Sequence, residues 1–376
     1  MQFNDLAEQY QRLKPEIDSE IQKVLDHGHY IMGPEVSELE KRLGEFTGVK
    51  HVVSCSNGTD ALLLPLMAWG ISHGDAVFTT PFTFFATAEV ISLVGATPVF
   101  VDINKDTYNI DPDSLEKTIE KTLDEGKIKP KVIIPVDLFG LAADYDKIDV
   151  IAKKFNLKLL EDAAQGFGGI YKEKVAGSFG DAAATSFFPA KPLGCYGDGG
   201  AIFTNNDELA KILKSIRVHG QGSDKYDNLR IGTNSRLDTI QAAILLSKLP
   251  VFKDEIALRN QVAKRYNDGL KDFVKVPTVP EGYISIWAQY SVLANDKYYR
   301  SKLQNRLKAS EIPSAIYYPI PLHLQTAFKE LGYKKGDFPV SEDTSERIFS
   351  LPMHPYMKDE DIKKVIDVIG SAALEK

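Results

Sequence analysis

The sequence predicts an α/β fold in which a mostly parallel sheet of seven strands lies between helices and a smaller α+β domain follows. Two observations support this prediction. Seven short apolar runs occur between residues 51 and 204, and helical stretches separate the earlier ones. Strands that alternate with helices are typical of βαβ units and hence of a parallel sheet. From about Phe273 onward, short strands and helices alternate again, which indicates the second domain.

The strand predictions rest on runs of apolar and small residues. The seven runs are His51–Ser54, Ala76–Thr79, Thr97–Val101, Lys131–Val136, Lys158–Leu160, Ala182–Phe187 and Ala201–Thr204. The last two runs are joined too tightly for a crossover helix. We therefore expect the seventh strand to run antiparallel at one side of the sheet.

Helices are predicted where apolar residues recur at helical spacing. Two precede the sheet, Gln2–Leu25 and Pro34–Thr47, and Gly48 ends the second. The remaining elements are helices at Ala61–Trp69, Phe85–Val94, Pro112–Leu123, Asp207–Val218, Asp238–Phe252 and Lys253–Leu270, and strands at Trp287–Leu293 and Ser314–Ile316. The chain is expected to form a large domain, residues 1–250, and a smaller C-terminal domain, residues 251–376.

Composition argues against several classes of protein. The 376 residues carry a net charge of −7, from 45 basic and 52 acidic residues, and no basic block indicates a nucleic-acid partner. Cys55 and Cys195 form no C-x-x-C pattern, so neither a metal site nor a disulfide framework is expected. No apolar run reaches membrane-spanning length and the N-terminus is not a signal peptide. We expect a cytoplasmic protein with no membrane partner.

The stretch from Asp181 to Thr204 contains a single lysine, Lys191, between two runs that indicate buried strands. Burial of a lysine lowers its pKa and frees the amine as a nucleophile. The glycines that follow let the backbone turn sharply and let a planar or anionic group approach. The alternative is a surface hairpin with a solvated lysine.

A predicted strand leads directly into a predicted helix at residues 54–60. Gly58 and Thr59 lie where backbone N–H groups at a helix N-terminus can bind an anion, and phosphate is the natural occupant. The alternative is an ordinary helix cap in which Thr59 or Asp60 satisfies the end donors. The segment is not a P-loop, because no G-K-[ST] follows the glycine.

A second polar segment follows the fifth apolar run. Asp162 comes at the end of this strand, where α/β sheets bind ligands, and a poorly solvated carboxylate there needs a cationic partner such as a protonated ring nitrogen. Gln165 lies three residues on and can bind the same ligand. The alternative for Asp162 is a carboxylate that faces solvent.

Three further residues have both a binding and a structural interpretation. Ser186, at the end of a buried strand, is either a second phosphate donor or a small core residue. Phe84 either stacks on a flat ring or belongs to the core. Arg236, close to Asn234, either contacts a ligand or forms a surface ion pair. Taken together, the segments suit a ligand with an aldehyde, a phosphate and a basic ring nitrogen, which is pyridoxal 5′-phosphate.

Five motifs carry a resemblance to a known family. They are SNGTDAL at 56–62, PFTFFAT at 81–87, EDAAQ at 161–165, SFFPAKPLGCYGDGGA at 186–201 and GTNSRLDTIQAA at 232–243. In this order and spacing, over essentially the whole chain, the sequence resembles the DegT/StrS sugar aminotransferases, which are fold-type I pyridoxal-phosphate enzymes. A related branch that dehydrates sugars has histidine in place of the lysine, so Lys191 disfavours it. Regulators with little catalysis are a further alternative.

The resemblance implies roles for the candidate residues. Lys191 would hold the cofactor as a Schiff base, and Asp162 and Gln165 would bind the ring nitrogen and the 3-oxygen. Phe84 would stack on the ring, and the phosphate would be bound by Gly58, Thr59 and Ser186. In addition, Asn234 would reach the cofactor of a neighbouring subunit in a homodimer, and Arg236 and His323 would contact substrate.

The resemblance also implies the reaction. L-Glutamate would donate its amino group, and a nucleotide-linked keto-sugar would accept it in a ping-pong cycle. The segment at 232–243 looks most similar to enzymes that aminate C3 of UDP-linked 2-acetamido keto-sugars, including uronic acid forms. An arginine at position 236 suits a sugar carboxylate. Amination at C4, or a dTDP-linked sugar, is the alternative substrate.

Overall fold

The computed structural model describes residues 1–224 and 226–374. The strands are β1 His51–Cys55, β2 Asp75–Thr79, β3 Thr97–Phe100, β4 Lys129–Ile133, β5 Lys158–Asp162, β6 Ile170–Tyr171, β7 Lys174–Val175, β8 Ala182–Ser186, β9 Gly200–Thr204, β10 Tyr283–Ile284, β11 Tyr290–Leu293 and β12 Ile348–Leu351. The helices are α1 Leu6–His27, α2 Pro34–Thr47, α3 Gly58–Ala68, α4 Ala86–Leu93, α5 Pro112–Glu125, α6 Tyr145–Phe155, α7 Asp207–Ile216, α8 Thr239–Lys248, α9 Phe252–Leu270, α10 Lys297–Ala309, α11 Pro339–Arg347 and α12 Asp359–Leu374.

The main sheet has seven strands in the order β1-β9-β8-β5-β4-β2-β3. These are the seven predicted runs, and the α/β fold with a mostly parallel sheet is confirmed. Strand β9 is antiparallel to both β8 and β1, as the tight connection predicts. It lies inside the sheet, however, and not at its side. The chain turns back after β8 and pairs with it, and β1 then completes the sheet on the far side of β9.

Helices cover both faces of this sheet because its strands are apolar on both sides. One core contains Val53, Val77, Leu160 and Ile202 from the strands and packs against α3, α4 and α7. On the opposite face, one set of strand residues packs on α5 and α6 and a second set packs on α2 and α8. Helix α1 lies outside this layer, where Leu13 and Ile17 meet Ile244 of α8.

The C-terminal residues build a second core. Strands β11 and β12 pair antiparallel, and α9, α10 and α12 pack with them. The predicted strand at Ser314–Ile316 is wrong, since only an isolated bridge joins Ala315 to Ser350. The strand predicted from Trp287 begins at Tyr290, because Trp287 has a positive φ of 52° that interrupts extended backbone.

The two parts of the chain are also linked by backbone pairing. Strand β10 pairs with β6, which lies between β5 and β8 in the sequence, and β6 pairs with β7 to form a small three-stranded sheet. The domain division at residue 250 stays a prediction. Within the part of the chain that the structure describes, no helix is both long and apolar enough to span a membrane.

Candidate active site

Lys191 lies in the loop that connects β8 to β9. Its backbone N–H donates to the carbonyl of Phe188 at 2.8 Å, so the residue sits in a tight turn. Burial lowers the pKa of the Lys191 amine below its ordinary value, and the nearby Asp162 carboxylate opposes that shift. The surface-hairpin alternative does not hold, because Lys191 is only partly exposed and its amine is largely removed from water. A lysine with a lowered pKa has more of its amine in the uncharged, nucleophilic form near neutral pH.

Asp162 is the last residue of β5 and is only 4% exposed. Thr87 Oγ1 donates to its Oδ2 at 2.8 Å, and the N–H of Ala164 donates to its Oδ1 at 3.1 Å. Burial raises the pKa of this carboxyl, while both hydrogen bonds and the charge of Lys191 oppose the rise. The solvent-facing alternative is therefore wrong. A cationic group placed beside Asp162 would stabilise its ionised form.

The anion site predicted at residues 54–60 has the expected local structure. Helix α3 begins at Gly58, and Asn57 caps it by accepting from the N–H of Asp60 at 2.7 Å. The cap is thus Asn57, and not Thr59 or Asp60. The N–H groups of Gly58 and Thr59 belong to the first turn, where no preceding turn supplies an acceptor. An anion at this end of the helix is favoured by these donors and by the helix dipole.

Ser186 comes close to the same helix end from β8. A Cβ atom on residue 58 would lie 2.6 Å from the Cβ of Ser186, so only glycine allows this approach. The Ser186 hydroxyl accepts from the N–H of Phe188 at 3.2 Å, which leaves its own hydrogen for a ligand. The structure thus brings Gly58, Thr59 and Ser186 together.

Gln165 is buried and has a partner at each end of its amide. Its Oε1 accepts from the N–H of Phe139 at 2.9 Å, and its Nε2 donates to the hydroxyl of Tyr318 at 2.9 Å. The predicted contact with the ring 3-oxygen stays a prediction. Phe84, by contrast, is 58% exposed although its neighbours Phe82 and Thr83 are buried. A large aromatic side chain that is exposed next to a buried loop is available to a flat ligand, and the core alternative for Phe84 is wrong.

Asn234 and Arg236 form one pair near the surface. The Asn234 Oδ1 accepts from both Nε and Nη2 of Arg236, at 2.9 and 2.6 Å. Together with Ser56 and Asp198 they line an open cavity of about 510 Å³. Asn234 is exposed, which is the state required of a residue that would reach a neighbouring subunit.

His323 differs from its prediction as a substrate contact. Its side chain has no exposed surface, its Nε2 lies 3.0 Å from Glu342 Oε1, and its ring packs against Phe338. In this conformation a substrate cannot touch it. The resemblance alone implied this contact, whereas in the structure the imidazole is buried beside an aromatic cluster that includes Phe338.

Thr87 and Tyr318 were not singled out from the sequence. Thr87 belongs to the PFTFFAT segment and lies one turn after Phe84, at the start of α4. This spacing could have indicated that Thr87 faces the same site as Phe84. Tyr318 gave no signal, since it reaches Gln165 from 153 positions away.

The described residues fit pyridoxal 5′-phosphate. The glycine cradle at Gly58 and Ser186 suits a phosphate, the desolvated amine of Lys191 suits an aldehyde, and the buried carboxyl of Asp162 suits a protonated ring nitrogen. With the sheet order, this donor set defines the class of protein as a fold-type I pyridoxal-phosphate-dependent transferase.

The chain belongs to the DegT/DnrJ/EryC1/StrS aminotransferase family, whose sequence model matches residues 11–370. It is 49% identical over 364 residues to the UDP-2-acetamido-2-deoxy-3-oxo-D-glucuronate aminotransferase of Pseudomonas aeruginosa, covering 96% of this chain and 98% of the relative. It is also 43% identical over 370 residues to the pleiotropic regulatory protein of Geobacillus stearothermophilus, covering 97% and 96%.

Solved structures agree with the family. A DegT/DnrJ/EryC1/StrS aminotransferase from Brucella abortus superposes with a TM-score of 0.97 at 54% identity and covers all of both chains. NtdA from Bacillus subtilis, solved with the bound cofactor PMP, superposes with a TM-score of 0.89 at 29% identity, over 97% of this chain and 82% of its own. The family resemblance in the motifs is thereby confirmed.

Proposed function

We propose that this chain uses pyridoxal 5′-phosphate to move the amino group of L-glutamate onto C3 of a UDP-linked 2-acetamido-3-keto-hexose or its uronic acid form. The observation that carries the reaction type is the pair of Lys191 and Asp162 in one desolvated site, each with a pKa shifted by burial. The 49% identity to an enzyme named for a 3-oxo-glucuronate supports the choice of sugar.

In this proposal each residue has one task. When bound, the cofactor carries the amino group between the two substrates and delocalises negative charge from the amino acid Cα into its ring. Lys191 acts as the general base that removes the Cα proton, and the burial that lowers the pKa of its amine favours the neutral form that a base requires. Asp162 keeps the ring nitrogen protonated. Gly58, Thr59 and Ser186 hold the phosphate by N–H and O–H donors.

Arg236 is a second observation that favours an anionic sugar substrate. The Asn234 side chain accepts from Nε and Nη2 of the guanidinium, and within the described residues Nη1 has no hydrogen-bond partner. A guanidinium that faces an open cavity of about 510 Å³ is suited to a carboxylate or a sugar-nucleotide phosphate. Because Asn234 holds the arginine in one orientation, less side-chain entropy is lost when an anion binds.

The active unit in this proposal is a homodimer. Asn234 is exposed, and exposed apolar residues lie on the same loop, with Leu229 at 60% and Ile231 at 86% exposure. Apolar residues this exposed next to a ligand site are suited to a second copy of the chain. The dimer would bring each Asn234 toward the other subunit's cofactor.

An absorbance titration tests the function. Purified holoenzyme is mixed with L-glutamate alone, and the visible band of the lysine-bound cofactor should collapse to the pyridoxamine form. Addition of a UDP-2-acetamido-3-keto-sugar should restore the band and yield an amino-sugar. Lys191→Ala should abolish turnover, while Lys211→Ala, which changes an exposed lysine on α7, should not. A band that glutamate leaves unmoved would refute transamination and favour a regulatory role.

A further inference from the structure

The loop between β8 and β9 is held tightly around Lys191. Its two ends are joined because the N–H of Phe187 donates to the carbonyl of Gly199 at 2.7 Å, and within it the N–H of Cys195 donates to the carbonyl of Phe187 at 2.8 Å. A Cβ on residue 194 would lie 2.5 Å from the carbonyl oxygen of Pro189, so Gly194 permits a close crossing of the chain. A closed loop still needs an outside contact to fix its position relative to the sheet, and this contact determines where the Lys191 amine lies.

A second buried lysine supplies such a contact. Lys248 is the last residue of α8, is 1% exposed, and donates from Nζ to the carbonyl of Gly194 at 2.6 Å. The same ammonium lies 4.2 Å from the centroid of the Tyr196 ring, two residues further along the loop. Two turns earlier on the same helix, Gln241 accepts from the N–H of Tyr196 at 2.8 Å. Helix α8 thus contacts the loop at Gly194 and at Tyr196.

We propose that Lys248 is a positioning residue that fixes the loop carrying Lys191, through its bond to Gly194 and its contact with Tyr196. The inference rests on the proposed role of Lys191 as the cofactor-binding lysine. This positioning role gives a physical reason for the burial of Lys248. Burial of a lysine without a full partner costs stability and is rare. An apolar side chain would fill the same space but would leave the Gly194 carbonyl without this donor.

The charge of Lys248 is set by a small group of neighbours. Burial lowers its pKa to about 8, and the carboxylate of Glu255 on α9 opposes this shift. From the loop, burial raises the pKa of the Cys195 thiol to about 11 and that of the Tyr196 hydroxyl to about 12. On the far side of Tyr196 lies Tyr10 of α1, with ring centroids 6.1 Å apart. Between pH 7 and 9, Lys248 is therefore the loop contact that changes charge.

A weaker contact holds the loop on the other side of Lys191. Asn4, ahead of α1, donates from Nδ2 to the carbonyl of Ala190 at 3.1 Å. This bond is exposed, so water competes with it and it contributes less than a buried one. We therefore expect the loop to depend on Lys248 far more than on Asn4.

The test compares variants by hydrogen exchange of the holoenzyme. In Lys248→Met, backbone exchange in peptide 188–197 should rise at least tenfold, and the pH midpoint of the visible band of the lysine-bound cofactor should move by about half a pH unit or more. Lys248→Arg keeps a cationic donor and should recover most of both changes. The matched control is Lys275→Met, which removes a lysine that donates to the carbonyl of Lys105 at 2.9 Å outside the site.

The unmodified protein provides a second measurement that needs no variant to fold. As pH rises from 7 to 9, Lys248 loses its charge, and exchange in peptide 188–197, corrected for the intrinsic rate, should increase relative to peptide 99–106. The proposal is overturned if exchange in peptide 188–197 stays the same in Lys248→Met, or if it stays the same in the wild-type protein between pH 7 and 9. If the wild-type protein binds no pyridoxal phosphate, the proposed function fails, while the exchange of the loop still reports on Lys248 alone.

Discussion

The hydroxyl of Thr87 donates a 2.8 Å hydrogen bond to Oδ2 of Asp162, and both side chains are buried. Thr87 in turn lies 3.2 Å from the hydroxyl of Thr83, so a short polar chain runs from the loop before α4 to the end of β5. These two hydrogen bonds fix the orientation of the Asp162 carboxylate and stabilise its charged form. Asp162 is therefore poised to face a cationic ring nitrogen.

The first prediction concerns this pair. Thr87→Val removes the hydroxyl at constant shape, so the pKa of Asp162 should rise and the cofactor should bind less tightly. A hydrogen bond to a charged group contributes about 1.5–3 kcal/mol, so the dissociation constant of pyridoxal phosphate should increase by about tenfold to a hundredfold. Equilibrium dialysis measures this constant. Thr87→Ser retains the donor and should behave like the wild-type protein.

A second prediction concerns the phosphate cradle. Gly58→Ala would put a Cβ 2.6 Å from the Cβ of Ser186, a separation that forces α3 and β8 apart. We expect cofactor affinity to fall by more than about tenfold, because the N–H donors of the first turn would be displaced. Ser186→Ala removes one hydroxyl without a clash and should weaken binding less. Equal effects of the two variants would contradict the steric argument.

The third prediction concerns Asn234. Asn234→Ala removes the acceptor that holds Arg236 at two nitrogens, and in the proposed dimer it also removes a contact with the other subunit's cofactor. Cofactor retention during gel filtration should fall, and the KM for the keto-sugar should rise while Lys191 chemistry persists. Asn228→Ala, on the same loop, serves as the control, since its side chain donates instead to the carbonyl of His219.

A fourth prediction concerns pH and stability. The pKa of Lys248 is lowered from 10.5 to about 8 in the folded protein. Between these two values the unfolded chain holds a proton that the folded chain has released, so this residue makes stability rise with pH. The free energy of unfolding of the wild-type protein minus that of Lys248→Met should increase from pH 8 to 10, by up to about 1.4 kcal/mol per pH unit. Urea titrations at each pH measure it, and a flat difference would contradict the burial of the charge.

The fifth prediction concerns the ion pair between Arg217, which follows α7, and Glu40 of α2. Arg217 Nη1 lies 2.5 Å from Glu40 Oε1 and donates to the carbonyl of Ser54 at 2.9 Å. Arg217→Met leaves Glu40 as a nearly buried charge without its cation, so the protein should lose about 3–5 kcal/mol of stability. Urea unfolding measures the loss. Adding Glu40→Gln to this variant should recover much of it, because the unpaired charge is then removed.

The sequence was informative where local pattern determines structure. The strands of the main sheet are short apolar runs, and Asp162 is at the end of one of them, so both the sheet and the position of this carboxylate could be predicted. The same local pattern gave a wrong prediction at Ser314–Ile316, where the structure has only an isolated bridge. Its apolar run is flanked by Pro313 and Pro319, which disfavour regular pairing, and the partner strand is near the end of the chain.

Contacts between distant parts of the chain could not be predicted from the sequence. Tyr318 meets Gln165, and Lys248 meets Gly194, only because the sheet, α8 and the C-terminal core pack in one arrangement. His323 shows the same limitation, since its burial depends on Phe338 and Glu342. Residue type indicated how each side chain could react, while its accessibility depended on packing.

The position of β9 has a consequence for the order of assembly. In the main sheet, β1 has β9 as its single neighbour, so His51–Cys55 pairs with residues synthesised long after it. A chain that emerges from the ribosome therefore holds β1 without a partner until Thr204 has been made. Contacts so distant in sequence slow folding. The turn after β1, where we propose that the phosphate binds, is therefore translated early but is expected to take its final shape late, once β9 is available to pair.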